Sequence, residues 1–498
     1  TAHYSLAETA RQVAAVYEFV QRRRPVRAVV EATVVHHVTY RLHEWLRRRP
    51  TLREYDWLAV LPALSPAELE REVQRRLREL LRFAGGAAQP PVTGGTPTLP
   101  YYAELFLRCG VNPAGDEPLT ELRKLPLLTK RDVRDHGDAM TWRDAPGGLR
   151  PASSGGTTGD TIYFHTDAIR QAQDLAARLF MQGLFGIRPG ERRLHLWGSP
   201  IESRGGRLRR CRDRLLNEVL LDAFDLSPAR LDAHLRRLRR FRPAVVYGYT
   251  TAVTLLARYS TARFRPRDFD WLRLAVLTGE ETLPEHVAMV QSAWGCAVAT
   301  EYGNREVGLI AHECPRGRLH VLSPHILVEI VQDGRPVPAG RCGEIVCTTL
   351  NTRAQPFLRY RVGDVGRLVP EPCPCGLALP VLRVEGGKIA GFLTLPDGRL
   401  CHGAVSSHAL KGLPGIVAFR THQRRVDWIE VLLVVDAAFD PQAVETIRRR
   451  YRVLFGPHVR VDCRLVAEIP PDPSGKRRHV ISDVSPHAAH IELAELPH

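Results

Sequence analysis

The segment Ser153-Ser154-Gly155-Gly156-Thr157-Thr158-Gly159-Asp160-Thr161 interleaves glycines with hydroxyl side chains. Such a loop can wrap phosphate oxygens with backbone N–H groups and hydroxyls. It lacks the Gly-Lys-Ser/Thr ending of a P-loop, and a tight turn or linker would use the same residues. Three further strings carry polar groups suited to a nucleotide. In Thr300-Glu301-Tyr302-Gly303-Asn304-Arg305-Glu306 a carboxylate beside a glycine turn could hold Mg²⁺, with phosphates completing the shell. In Arg359-Tyr360-Arg361-Val362-Gly363-Asp364 an aspartate after a strand end could accept two ribose hydroxyls, or simply form a turn. In Pro473-Ser474-Gly475-Lys476 a lysine follows a flexible Ser-Gly, in a chain with only five lysines. Its ammonium could neutralise a developing phosphoryl or carboxylate oxygen, or lie exposed.

These strings need a scaffold, and the hydrophobic pattern supplies an α/β one. Short apolar strands alternate with helices from Tyr101 to Arg383, as at Ala244–Tyr247, Leu274–Leu277 and Glu344–Cys347. Residues 1–95 read as a helical N-terminal extension and linker. Its best helix opens on Ser65, Pro66 and Glu68, a capping box, and stops at Gly85. Leu69, Val73, Leu77, Leu80 and Leu81 line one face, which predicts packing on the main domain. Residues 96–386 read as a large domain. After the Gly-rich stretch near 387, residues 387–498 read as a small α+β domain with a strand over Trp428–Val435.

At 498 residues the chain is long enough for two or three domains. The formal charge of +16 comes almost wholly from arginine interleaved with acids, which reads as solvated helix faces. No helix-turn-helix, RRM or zinc-finger signature accompanies it, so a nucleic-acid partner is not expected. No long apolar run predicts a membrane span, and no leader pattern predicts secretion. A reducing, cytoplasmic setting is the expectation, in which close cysteines suggest metal before disulfide.

In order and spacing, the four strings together resemble the adenylate-forming superfamily. The similarity is greatest to its branch of phenylacetate–CoA ligases and coenzyme F390 synthetases. Tyr101–Phe106, Leu122–Lys130 and Gly343–Val346 resemble further segments of that branch. The resemblance covers roughly residues 100 to 480 and leaves out the N-terminal helices.

It implies a large multi-subdomain adenylation (AMP-binding) domain and a mobile C-terminal lid. Ser154, Gly155, Gly156, Thr157, Thr158 and Gly159 would hold the β- and γ-phosphates of ATP. Glu306 would ligate Mg²⁺ and Asp364 would bind the ribose. Gly279, Glu280, Tyr302 and Gly303 would border the adenine, and Lys388 would lie near ribose and hinge. Lys476 would enter with the lid for adenylation and leave for thiol attack. Thr157, Glu306 and Lys476 would carry the catalysis. Trp197, Tyr247 and Tyr249 are candidates for the acyl pocket. The implied reaction joins an aromatic or small carboxylic acid to coenzyme A or a phosphopantetheine carrier through acyl-AMP, with release of pyrophosphate. Asp160-Thr161, Arg305 and Ala390-Gly391 depart from the family's pattern. An amine acceptor, and a degenerate nucleotide-binding homologue, stay open as alternatives, and a homodimer is one assembly open to the chain.

Cys314, His320, Cys373 and Cys375 could close a tetrahedral structural Zn²⁺ site, with His312 as the alternative imidazole. Buried free thiols are the competing expectation. Members of the similar branch often carry this cysteine set.

Overall fold

A computed structural model describes residues 26–47, 49–86, 99–145, 148–154, 162–198, 207–223, 225–280, 282–386, 392–394, 400–402, 405–410, 413–469 and 480–484. Residues Gly155–Thr161, Lys388 and Lys476 lie outside them, and so do most of the expected phosphate contacts.

Among the described residues, the N-terminal extension includes a helix over Val26–Val34, a wider-wound turn at Val35–Tyr40 and a helix over Arg41–Arg47. Helix α1 (Pro66–Ala84) starts where its capping box predicts. The Ser65 hydroxyl accepts from Glu68 N–H, and the Glu68 carboxylate accepts from Ser65 N–H at 2.8 Å. Its predicted stripe is buried in one cluster with Ile310, Ile345 and Phe357 of the main domain. Arg76 adds a polar tie, stacking 4.2 Å from the Trp57 ring and donating to the Pro324 carbonyl at 2.9 Å.

A hairpin of β1 (Arg150–Ser153) and β2 (Tyr163–Thr166) precedes helix α2 (Ala168–Gly183). The main sheet follows. β3 (Arg193–Leu196), β4 (Glu218–Leu221), β5 (Val245–Tyr249), β6 (Leu274–Thr278) and β7 (Ala297–Asn304) pair in parallel, in the order β4-β3-β5-β6-β7. Parallel strands need crossovers, supplied by α3 (Pro228–Phe241), α4 (Thr250–Ser260) and α5 (Pro284–Trp294). Covered on both faces, β6 is buried along its whole length.

At β7 the sheet changes hand. β8 (Gly308–Glu313), β9 (Leu319–Val321), β10 (Ile326–Gln332), β11 (Arg335–Pro336), β12 (Gly343–Thr349), β13 (Tyr360–Val369) and β14 (Val381–Gly386) extend it antiparallel to twelve strands.

A short pair, β15 (Phe392–Thr394) and β16 (Leu400–His402), precedes a separate four-stranded sheet. That sheet holds β17 (Ile416–Arg425), β18 (Trp428–Val435), β19 (Arg460–Leu465) and β20 (Val480–Ser482), backed by α6 (Ala443–Phe455). The architecture is the α/β one expected from sequence: a large sheet domain, a small C-terminal sheet and helices at the N-terminus.

Candidate active site

Ligands of open α/β sheets bind beyond the carboxyl ends of the parallel strands. Here those ends are Trp197, Tyr249, Gly279 and Tyr302. Gly279 has φ +78°, and a Cβ there would come within 2.9 Å of the Tyr249 ring. Trp197 stacks on Tyr249 at 4.1 Å and touches Tyr247 at 5.7 Å, so the three aromatic candidates form one group. The Glu280 carboxylate accepts from Thr251 N–H at 2.7 Å and from its hydroxyl, a fixed anion at the start of α4.

Tyr302 and Asp364 meet from opposite halves of the sheet. The Tyr302 hydroxyl donates to Asp364 Oδ2 at 2.8 Å. Burial and the neighbouring carboxylate push the Tyr302 phenol well up, so it stays protonated as a donor. Asp364 owes its position to irregular backbone. Gly363 adopts φ +88°, and β13 shifts register against both its neighbours around this point, which re-aims the side chains there.

Glu306 lies in the turn between β7 and β8. The Val307 N–H donates to Asn304 Oδ1 at 2.8 Å, and buried Arg170 of α2 donates to the carbonyls of Arg305 (2.6 Å) and Glu306 (2.7 Å). The Glu306 side chain is 6% exposed, with Lys130 Nζ at 3.9 Å and the Tyr360 hydroxyl at 3.5 Å. Lys130 is placed by Leu128, whose N–H donates to the Arg359 carbonyl just before β13 and whose carbonyl accepts from Arg361 N–H on it. Ser154 N–H and hydroxyl bond the Ile162 backbone at 2.9 and 3.0 Å, closing the neck of the β1–β2 loop. Two pairs are thus brought together around β7, its turn and β13: Tyr302 with Asp364, and Glu306 with Lys130.

Sequence reasoning missed several of these groups. Lys130 had a usable signal, the scarcity of lysine, which drew attention only to Lys476. Arg170, Arg178 and Glu301 had none. Arg178 of α2 grips Glu301 of β7 through Nε and Nη2 at 2.9 to 3.1 Å, and the Tyr247 hydroxyl donates to the same carboxylate at 2.9 Å.

The cysteine set converges behind β8 and β13. Donor atoms of Cys314, His320, Cys373 and Cys375 all lie within 4.8 Å of one another. Cys314 and Cys373 sulfurs are 3.7 Å apart, and Cys375 Sγ is 3.3 Å from His320 Nε2. Tetrahedral zinc with bonds of ~2.3 Å to sulfur sets sulfurs ~3.8 Å apart, so the donors fit. The Leu379 carbonyl accepts from His320 Nδ1 at 3.0 Å, leaving Nε2 to face the thiols. Arg316 and Cys375 N–H groups point at the sulfurs of Cys314 and Cys373. The Cys314 thiol is held well below the ordinary thiol range, first by Cys375 and then, against burial, by His320. His312 is not in the set; its Nδ1 donates to the Glu313 carbonyl.

The chain is similar to several known proteins. Residues 393–483 match the CapK C-terminal domain family. Protein CapK of Staphylococcus aureus is 23% identical over 374 residues, 74% of this chain and 81% of that one. The phenylacetate–coenzyme A ligase of Thermus thermophilus is 29% identical over 290 residues, 56% of this chain and 63% of the relative. The chain is thus similar to ligases of the adenylate-forming superfamily. The fold of the superfamily is also that of 2-hydroxyisobutyryl-CoA ligase, solved with 2-HIB-AMP and CoA in the thioesterification state. That structure aligns with a TM-score of 0.55 at 20% identity over 86% of this chain and 92% of its own. Its open conformation aligns at 0.53 over 84% and 93%. The match to the Thermus ligase spans less than two thirds of that relative.

Proposed function

We propose that the chain is an AMP-forming acid–thiol ligase. A carboxylate attacks the α-phosphorus of ATP to give acyl-AMP and pyrophosphate, and a thiol of coenzyme A or a carrier protein then displaces AMP. The observation that carries this reading is the convergence of Tyr302 with Asp364, and of Glu306 with Lys130.

Asp364 would accept the ribose hydroxyls while Tyr302 fixes its orientation. Gly279 and Gly303 would border the base, where Gly279 lets the Tyr249 ring approach and Gly303 lets the β8 backbone approach. Glu306 is the residue suited to hold Mg²⁺, which would supply charge neutralisation at the phosphate oxygens. Lys130 beside it adds a fixed positive charge. The 154–159 loop would cover the β- and γ-phosphates, with Thr157 at its centre. Residues 387–498 would act as the lid, bringing Lys476 to the reacting oxygens and Lys388 to the hinge. Cys314, His320, Cys373 and Cys375 would hold a structural Zn²⁺ with no open position, which suits a reducing cytoplasm. Such chemistry is chiefly alignment and charge neutralisation, so displaced side chains cost rate steeply.

ATP–pyrophosphate exchange over a panel of aryl and short-chain acids tests the first step. Exchange that depends on an acid and on Glu306 is the expected result, and its absence with every acid would sink the reading. Product mass with coenzyme A, a phosphopantetheinylated carrier or an amine then identifies the acceptor.

A further inference from the structure

Single apolar side chains on a protein surface are ordinary, whereas a contiguous row of them marks a contact. Fourteen large apolar side chains are exposed among the described residues. Six of them fall within residues 30–46: Val30, Val34, Val38, Leu42, Trp45 and Leu46. A step of four residues from Val30 to Leu42 sets them along one side of the helical run Val26–Arg47. Such a row would drift around a regular α-helix, which turns once in about 3.6 residues. The wider-wound turn at Val35–Tyr40 takes more residues per turn and offsets the drift. The row is therefore a straight ridge, roughly 24 Å long at about 1.5 Å per residue.

The other side of the same run is committed to the domain. Ala32, Val35 and Tyr40 are buried there. Arg192 holds Glu31 at 2.6 Å, and the Leu215 carbonyl accepts from the Thr39 hydroxyl at 2.8 Å. The Glu44 carboxylate accepts from Leu52 N–H at 3.0 Å. Anchored by its inner side, the run leaves its ridge outermost, with Trp45 75% exposed and Leu46 65%.

Charge tells what kind of surface covers it. Arg41 and Arg47 on the run are exposed, as is Arg214 beside the exposed Leu215. Arg192 also donates to the Phe241 carbonyl at 3.0 Å, which sets the end of α3, with exposed Arg237, Arg240 and Arg242, beside the same run. Of the acids here, Glu31 and Glu44 are held on the inner side and Asp213 is paired with Arg212. Asp56 is exposed, and Arg53 of the same short helix is exposed with it. A second copy packed ridge to ridge would bring arginine against arginine. An anionic bilayer offers the opposite charge.

We propose that residues 30–46 lie flat on an anionic lipid surface, with Leu42, Trp45 and Leu46 at the boundary of headgroups and acyl chains and the arginines against lipid phosphates. The inference goes beyond the ligase reading and does not depend on it. No helix among the described residues is long and apolar enough to cross a membrane, and this ridge lies on the bilayer rather than spanning it. Apolar side chains on one side, arginines at the flanks and an indole near the end suit that boundary. A ridge enters a deformable surface without needing a groove shaped to receive it.

The test is flotation of the full chain with vesicles of phosphatidylcholine alone and of phosphatidylcholine mixed with phosphatidylglycerol. Partition onto the mixed vesicles is expected to exceed that onto the neutral ones about tenfold or more, and to fall as salt is raised. The double variant Trp45→Ser/Leu46→Ser should lower partition about tenfold or more, while its thermal unfolding midpoint stays at the wild-type value because both side chains are exposed. Brominated acyl chains should quench more tryptophan emission in the wild type than in Trp45→Phe. No partition onto the mixed vesicles, equal partition onto both kinds, or partition that survives the double substitution would each overturn the inference. A dimer in sedimentation that the double substitution dissolves would also overturn it, and would give the ridge to a second copy.

Discussion

The two halves of the large sheet position their residues in different ways. In the parallel half, β5 and β6 are flanked on both faces and their ends are fixed by burial. Leu274, Ala275, Val276 and Leu277 are all fully buried. In the antiparallel half, positioning depends on specific polar ties. Arg359 is 3% exposed, holds Glu329 at 3.2 Å and donates to the carbonyls of Leu125, Arg123 and Gly334. Arg170 holds the Glu306 turn by its carbonyls, and the cysteine set joins the ends of β8 and β13. A packed strand tolerates loss of a single contact, while a buried polar tie fails when one partner is removed.

Breaking the ties should therefore cost most. Cys373→Ser, or stripping metal with a chelator, should lower stability by on the order of 4–5 kcal/mol, read from urea midpoints. Zinc content measured alongside should fall from one equivalent towards zero. If no zinc is present and Cys373→Ser is neutral, the antiparallel half is held by packing after all. Arg170→Met leaves two buried carbonyls without donors and should cost about 3 kcal/mol, with exchange activity falling further than stability explains. Glu306→Gln keeps the turn and should slow pyrophosphate exchange by about 10²-fold while the unfolding midpoint barely moves.

The parallel half should respond more weakly. His195 has its pKa pushed down to about 4 by burial. A histidine whose folded pKa is depressed binds its proton more readily when unfolded, so wild type loses stability as pH falls from about 6.5 towards 4. His195→Phe lacks that loss, and the difference between the two proteins should change by about 3 kcal/mol across the window. Unfolding curves that run parallel from pH 7 to 4 would show that His195 is not buried neutral. Gly279→Ala should cost about 1–2 kcal/mol for its left-handed backbone, plus whatever moves the Tyr249 ring. An unchanged midpoint would mean that the Trp197–Tyr249 stack gives way freely.

Legibility from sequence followed the same division. The strand Trp428–Val435 matches β18 end to end, and Ser65, Pro66 and Glu68 mark the start of α1. Both are local signals, carried by periodicity and capping chemistry. The Cys314, His320, Cys373 and Cys375 set was readable chiefly because members of the similar branch often carry it, since the Cys373–Cys375 spacing is tighter than usual for zinc. Arg178 with Glu301 was not readable, because a pair separated by 123 residues leaves no local trace. Lys130 beside Glu306 was hidden for the same reason: the β13 backbone places it, through Leu128. The separation of Glu301 from Tyr302 depends on knowing that β7 is a strand and which face each neighbour covers.

The convergence of Cys314 and Cys373 has a further consequence, in redox terms. Two sulfurs 3.7 Å apart need little movement to couple once nothing occupies the space between them. Peroxide should then oxidise the demetallated protein to an internal Cys314–Cys373 crosslink, while bound metal shields both thiols. Because β8 leads back to Glu306 and β13 to Asp364, such oxidation would pull on the two acids of the candidate nucleotide site together. Oxidant sensitivity would then be built into the same framework that aligns the chemistry.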